Sequence, residues 1–89
     1  MAAYRVSLVI GFQPKLSIAK QESVLNCLEA LGPESVDCTE SQCTVRHVVR
    51  ADHSVAAKQE AETAVARALF GAGHTMQSAP IVSTSVEPV

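Results

Sequence analysis

Three arginines are the side chains of this sequence best suited to holding a partner. Arg5 lies in a segment of alternating apolar and polar residues, and Arg46 and Arg50 lie in a second one. On neighbouring strands these guanidinium groups would share one face of a sheet, where they could bind a phosphate backbone. The same arginines, placed among valine and serine, are also typical of protein interfaces, where arginine is enriched and lysine is not.

Net charge and aromatic content distinguish these two interpretations. The formal net charge is −2, and the sequence holds one tyrosine, two phenylalanines and no tryptophan. Proteins that bind nucleic acid usually carry excess positive charge and aromatic rings that stack on bases. A homodimer or a protein partner is therefore the leading expectation, and an anionic small molecule or RNA bound by Arg5, Arg46 and Arg50 is the alternative.

Cysteine and histidine residues lie close together between Cys38 and His53 and suggest a zinc site. The spacing of Cys38, Cys43, His47 and His53 does not fit a zinc finger. His47 would lie roughly 13 Å along a strand from Cys43, at about 3.3 Å per residue, which is too far for a shared ion. No metal or other cofactor is expected. Cys38 and Cys43 could close a disulfide across a hairpin, but free, mostly buried thiols are expected in a reducing compartment.

The segment from Gly11 to Ser17 leads from a predicted strand into the first turn of a predicted helix. Free backbone amides at a helix start favour anions, and Lys15 and Ser17 could add donors, although a purely structural loop is the simpler interpretation. No arrangement typical of a nucleophile is found. His47 is expected to be a core histidine satisfied by a hydrogen bond. An enzyme that uses Lys15, Ser17 or His47 ranks third, and the sequence favours a role without catalysis.

The clearest structural element is a helix between Asp52 and Gly73. Its apolar residues recur at spacings of three and four, which places them on one face. They are Ala61, Val65, Ala68, Leu69 and Ala72. Asp52 or Ser54 is expected to cap the start, and Gly71 and Gly73 mark the end. Because most of this face is alanine, the helix is expected to lie close against a sheet.

The remaining elements follow from alternation and from glycine and proline positions. They are a strand at 3–10, a helix from Leu16 or Ser17 to about Leu31, a strand at 34–38, a strand at 43–51 and a strand at 80–87. The order β-α-β-β-α-β predicts an α+β, ferredoxin-like sandwich, in which a four-stranded antiparallel sheet carries both helices on one face. The first and third strands would be central, and the last would be an edge strand with Val82, Thr84 and Val86 inward.

This fold leaves the second face of the sheet uncovered by the chain's own helices. We expect that face to be the interaction surface, because exposed valine and isoleucine side chains make full solvation unfavourable. The residues predicted to form the interface are Arg5, Val9, Arg46, Val48, Arg50 and Ile81.

Length and composition agree with one small globular domain over residues 1–89. The sequence is 47% hydrophobic and 18% charged, which is ordinary for a folded protein. No apolar run approaches the roughly 20 residues of a membrane-spanning helix. A cytoplasmic protein without a membrane partner is expected.

Overall fold

The computed structural model describes residues 2–89, which form two helices and one four-stranded sheet. The elements are β1 (Ala2–Gly11), α1 (Ile18–Glu29), β2 (Ser35–Cys38), β3 (Gln42–Ala51), α2 (Ser54–Gly71) and β4 (Ile81–Pro88). The predicted α+β class and the predicted order of elements are confirmed, and the boundaries differ from the expected ones by one or two residues.

The sheet is antiparallel throughout, with the strand order β2-β3-β1-β4. The first and third strands are central, as the order of the elements predicts. In β1, Val6, Leu8 and Ile10 are fully buried. Successive side chains of a strand point to opposite faces, so Arg5, Ser7 and Val9 point away from the core. The same alternation holds in β3, where Cys43, Val45, Val49 and Ala51 are buried.

Helix α2 packs its small residues against the sheet. Its buried residues are Ala57, Ala61, Val65 and Leu69, which recur at every fourth position. The predicted stripe contains three of these four; Ala68 and Ala72 lie beside it and are only partly buried against the core. The predicted cap was wrong. His53 precedes the first helical residue, and its Nδ1 accepts the amide N–H of Ala56 at 3.2 Å. An imidazole nitrogen can cap a helix in the same way as the oxygen of Asp52 or Ser54.

Helix α1 begins after Ser17, whose hydroxyl accepts the amide N–H of Lys20 at 3.3 Å. Its buried residues are Val24 and Leu28, and Leu31 packs against the core just beyond its end. The chain leaves the helix through Gly32, whose φ of +72° lies in the left-handed region that glycine adopts without strain.

The last strand departs from its predicted phase. Ile10 of β1 pairs with Ile81, but Val9 pairs with Ser83, so Val82 is an extra residue in a β-bulge. Ile81 therefore packs against the core, while Val82 is 66% exposed. The predictions that Val82 points inward and that Ile81 lies on the uncovered face were both wrong. Thr84 and Val86 are half-buried, in agreement with their predicted inward phase.

Buried residues of both helices belong to the same apolar cluster as Val6, Leu8 and Ile10. Those three side chains share one face of the sheet, so both helices lie on that face. Helix α2 is also tied to the edge strand, because the Thr84 hydroxyl donates to a carboxylate oxygen of Glu62 at 2.8 Å. Within residues 2–89, no helix lies over the opposite face of the sheet.

One end of the sheet is closed by the segment between β1 and α1. It contains a cis peptide bond at Gln13–Pro14. The amides of Phe12 and Leu16 donate to carbonyls of the β2–β3 loop, at 2.9 and 2.7 Å. The amide of Gln13 donates to the carbonyl of Ser78, before β4, at 3.1 Å. Three loops are thereby joined through backbone hydrogen bonds.

Neither helix within residues 2–89 combines the length and apolar character needed to cross a membrane.

Replacing Ala61 with leucine is expected to lower the free energy of unfolding by about 1–3 kcal/mol, because a larger side chain must displace the sheet or its neighbours. Ala61 is fully buried, so little relaxation is available. Urea unfolding of the variant measures the loss. Gln59→Leu, at an exposed position of the same helix, is the control and should leave stability nearly unchanged. An Ala61→Leu protein as stable as the wild type would show that α2 is not close-packed on the sheet.

Candidate interaction surface

The uncovered side of the sheet, called the open face below, is built by the outward residues of all four strands. Strand register places Ser7 between Arg46 and Ser85, Val9 between Thr44 and Ser83, and Arg5 between Val48 and Glu87. On β2, Ser35 and Asp37 pair with Arg46 and Thr44 and extend the same face. The open-face residues are therefore Arg5, Ser7, Val9, Ser35, Asp37, Thr44, Arg46, Val48, Arg50, Val82, Ser83, Ser85 and Glu87.

Arg5 lies in the middle of an ion-pair network that spans the sheet. Its Nε and Nη2 donate to the two carboxylate oxygens of Glu34, at 2.6 and 3.0 Å. Its Nη1 donates to Glu87 on β4 at 3.2 Å. Glu34 lies immediately before β2, so one guanidinium connects both edge regions of the sheet. Bidentate geometry makes the Glu34 pair the stronger of the two.

The network shifts the pKa values of Glu34 and Arg5. Hydrogen bonds from Arg5 lower the pKa of the Glu34 carboxyl, and the positive charge of Arg46 nearby acts in the same direction. The Glu34 and Glu87 hydrogen bonds raise the pKa of Arg5 in turn. The Glu34 carboxylate and the Arg5 guanidinium are therefore both charged under ordinary conditions. Arg5 is already neutralised and is a poor candidate for binding an external anion.

Positive and negative side chains balance on and beside the open face. The arginines are Arg5, Arg46 and Arg50, and the facing carboxylates are Glu34, Asp37 and Glu87. Among residues 2–89, ion pairs within 4.0 Å involve Arg5 and Lys15, and neither Arg46 nor Arg50 takes part in one. The three arginines do lie on one face, as their spacing predicts, but the surface as a whole is not electropositive.

The apolar part of the open face consists of valines. Val48 is 37% exposed and pairs with Arg5, whereas the half-buried Val9 pairs with Ser83, next to Val82, which is 66% exposed. Val48 therefore lies roughly 13 Å along the strands from Val9. Val82 takes the position that the sequence assigns to Ile81. Its Cγ2 lies 3.1 Å from the point where a Cβ on Gly11 would be, so the side chain covers the glycine on this face. The alternation of apolar and polar residues could not predict that Val82 lies on the open face. A β-bulge shifts the inward and outward positions of the strand by one residue.

The segment before α1 uses both of its candidate anion ligands internally. The Lys15 ammonium lies 3.3 Å from a carboxylate oxygen of Glu40, and Ser17 is the cap of α1. A hollow of about 190 Å³ beside them is lined by Lys15, Lys20, His74 and Ser78 among others. Lys15 and Ser17 are near each other, as expected, but each already has a partner.

His47 points to the helix side of β3 and is half-buried. Its Nδ1 is buried without a hydrogen-bond partner among the described residues, so the prediction of a satisfied core histidine was wrong. The Nδ1 atom lacks a partner because the neighbours of His47 on that face are valines. Val45 and Val49 flank it on β3, and Val6 lies opposite it on β1. None of these side chains can donate or accept.

Cys38 and Cys43 are opposite each other at the closed end of the β2–β3 hairpin, with Cα atoms 4.1 Å apart, and form a disulfide. The expectation of free thiols was wrong for this pair. The third cysteine, Cys27, is free and half-buried. Within the described part of the chain, no group of three or more His, Cys, Asp or Glu side chains is placed to hold a metal ion.

Replacing Arg5 with methionine is expected to raise the pKa of the Glu34 carboxyl toward its ordinary value of 4.5. The native pKa is lowered, so the pairing stabilises the folded state above the unfolded-state pKa. That contribution is lost as the pH falls through the lowered folded-state value. Side-chain carboxyl ¹³C titration by NMR measures the change. Arg50→Met, which removes an arginine outside the network, is the control and should leave the titration curve of Glu34 unchanged. If Arg5→Met also left that curve unchanged, the result would contradict the network.

Alkylation under denaturing conditions without reductant is expected to modify one cysteine, Cys27, and alkylation after reduction should modify all three. Mass spectrometry of the intact chain counts the modifications. In Cys27→Ser the unreduced protein should take up no label. Modification of Cys38 and Cys43 in unreduced protein purified under oxidising conditions would contradict the disulfide.

Comparison with protein-family models, with curated proteins and with solved structures finds no match to this chain, so any functional argument must come from its own surface.

Proposed function

We propose that this protein is a small association domain whose open face pairs with a second copy of itself. We also infer that the architecture is ferredoxin-like. The support for that inference is the β-α-β-β-α-β order together with the central position of the first and third strands. The fold by itself says nothing about function, so the proposal depends on the composition of the open face.

The observation that carries the proposal is an uncovered sheet face with exposed valines and balanced charge. Val48 and Val82 expose apolar surface on the side of the sheet that no helix covers. In a symmetric dimer the same patch occurs on both subunits and must complement itself. Because arginines and carboxylates are equal in number on and beside this face, two copies can approach without net repulsion.

The size of the open face agrees with a reversible dimer. The four strands contain 10, 4, 10 and 8 residues. At about 3.3 Å per residue and about 4.8 Å between strands, they cover roughly 500 Å². A specific interface buries about 500 Å² or more on each partner, and stable ones bury about 800 Å². The open face is therefore large enough for specific pairing, near the lower end of the range. Arginine with few lysines is also the composition favoured at interfaces.

The alternative of an anionic small molecule or RNA has less support. It relies on Arg5, Arg46 and Arg50, and Arg5 is held by two carboxylates of the same chain. Arg46 and Arg50 remain, but Asp37 and Glu87 lie on the same face. Among residues 2–89, no aromatic side chain lies on the open face, so the face offers no ring on which a base could stack.

Val48→Asp is expected to convert a dimer into a monomer, because each copy would have to remove a carboxylate and the neighbouring Arg46 and Arg50 from water, at a cost that their mutual attraction does not fully offset. Sedimentation equilibrium measures the change from twice the chain mass of 9.4 kDa to that mass itself. Val55→Asp is the matched control. Val55 is 58% exposed in the first turn of α2, where a carboxylate is tolerated, so its dimer should persist.

Thermal unfolding of both variants verifies that they fold. A wild-type chain that stays monomeric at millimolar concentration would contradict self-association. If Val55→Asp disrupted the dimer as much as Val48→Asp does, the interface would not be on the open face. Binding of single-stranded RNA that weakens steeply with salt would favour the alternative instead.

A further inference from the structure

A second surface, remote from the open face, has the character of a ligand site. A groove of about 640 Å³ lies between α2 and the segment that leads to β4; we call it the α2 groove. The buried side chains of Leu69 and Ala79 form its floor. Phe70 and Met76 also line it, and they are 74% and 51% exposed. Two large apolar side chains at the surface of so small a domain require an explanation.

The dimensions and lining favour a small molecule. Ligand sites typically have volumes of about 300–1,000 Å³ and apolar walls with a few polar groups. The polar groups of the α2 groove are Thr63, Arg67, His74 and Thr75. The ring of His74 is held edge-on against Phe12, with centroids 5.3 Å apart, which fixes one wall. The unbranched Met76 side chain can adapt to apolar ligands of different shape.

Charge indicates which end group the ligand carries. No lining residue of the groove is acidic, and Arg67 supplies a permanent positive charge. One helical turn away from Arg67 lie Thr63, Ala64, Phe70 and Gly71, none of which is charged. Among residues 2–89, the ion pairs involve Arg5 and Lys15 and leave Arg67 unpaired. A carboxylate on the ligand would complement this guanidinium.

We propose that the α2 groove binds an amphiphilic carboxylate, such as a medium-chain fatty acid, with its apolar chain along Phe70, Leu69 and Met76 and its carboxylate on Arg67. This function is separate from pairing through the open face. The two surfaces use different residues, so either can fail without affecting the other.

Titration of ¹⁵N-labelled full-length protein with decanoate tests the proposal. Saturable changes in amide chemical shift are expected at Thr63, Phe70 and Met76, and the amide of the open-face residue Val48 should not shift. Arg67→Met keeps the length of the side chain without its charge and should weaken decanoate binding roughly fivefold, as for a partly exposed ion pair. Decanol, which has the same chain without the charge, should bind the variant and the wild type equally. Arg50→Met is the matched control for loss of an unpaired arginine and should bind decanoate as the wild type does.

Four outcomes would overturn the proposal. The first two are the absence of saturable chemical-shift changes in the α2 groove and chemical-shift changes centred on the open face. The third is an equal loss of affinity for decanoate and decanol in Arg67→Met. The fourth is a dependence of the Phe70 and Met76 chemical shifts on protein concentration without ligand. The last result would assign the groove to a contact between copies of the chain.

Discussion

Burial of one face of the two central strands against small helical residues is the constraint on which the rest of the structure depends. Val6, Leu8 and Ile10 of β1 are fully buried, and Ala57 and Ala61 of α2 are fully buried as well. The alanines let the helix lie close to the sheet, and Val, Leu and Ile side chains fill most of the remaining core. The same arrangement uses both helices on one side and leaves the other side without a cover.

The uncovered side carries an ion-pair network, whereas the other side carries packed helices. Arg5 reaches Glu34 at one edge region and Glu87 at the other, which fixes the two outer strands relative to β1. Exposed pairs contribute little stability individually, but a bidentate arginine shared by two carboxylates has a defined geometry. The network also removes Arg5 from the set of groups available to an external anion. This balance of charge supports the proposed pairing with a second copy of the chain rather than with a polyanion.

Much of the fold could be predicted from the sequence, because most elements follow simple periodicities. The strands alternate, and α2 repeats its buried residues at every fourth position. The failures come from features that periodicity does not encode. A single extra residue in β4 moved Ile81 inward and Val82 outward, and a histidine replaced the expected oxygen cap of α2. Of the candidate site, the three arginines and Val9 and Val48 were placed on the correct face. The partners of Arg5 were not predicted, since contacts over long sequence separations require the register of the sheet.

The joining of three loops at one end of the sheet has a consequence for how this protein can change over evolution. The segment between β1 and α1 is held to its neighbours through the backbone groups of Phe12, Gln13 and Leu16. The Lys15 side chain adds an ion pair with Glu40, whereas the exposed Gln13 side chain takes no part in that connection. Substitutions at Gln13 can therefore accumulate while the loop keeps its shape, so this end of the domain is suited to acquiring new specificities without loss of the fold.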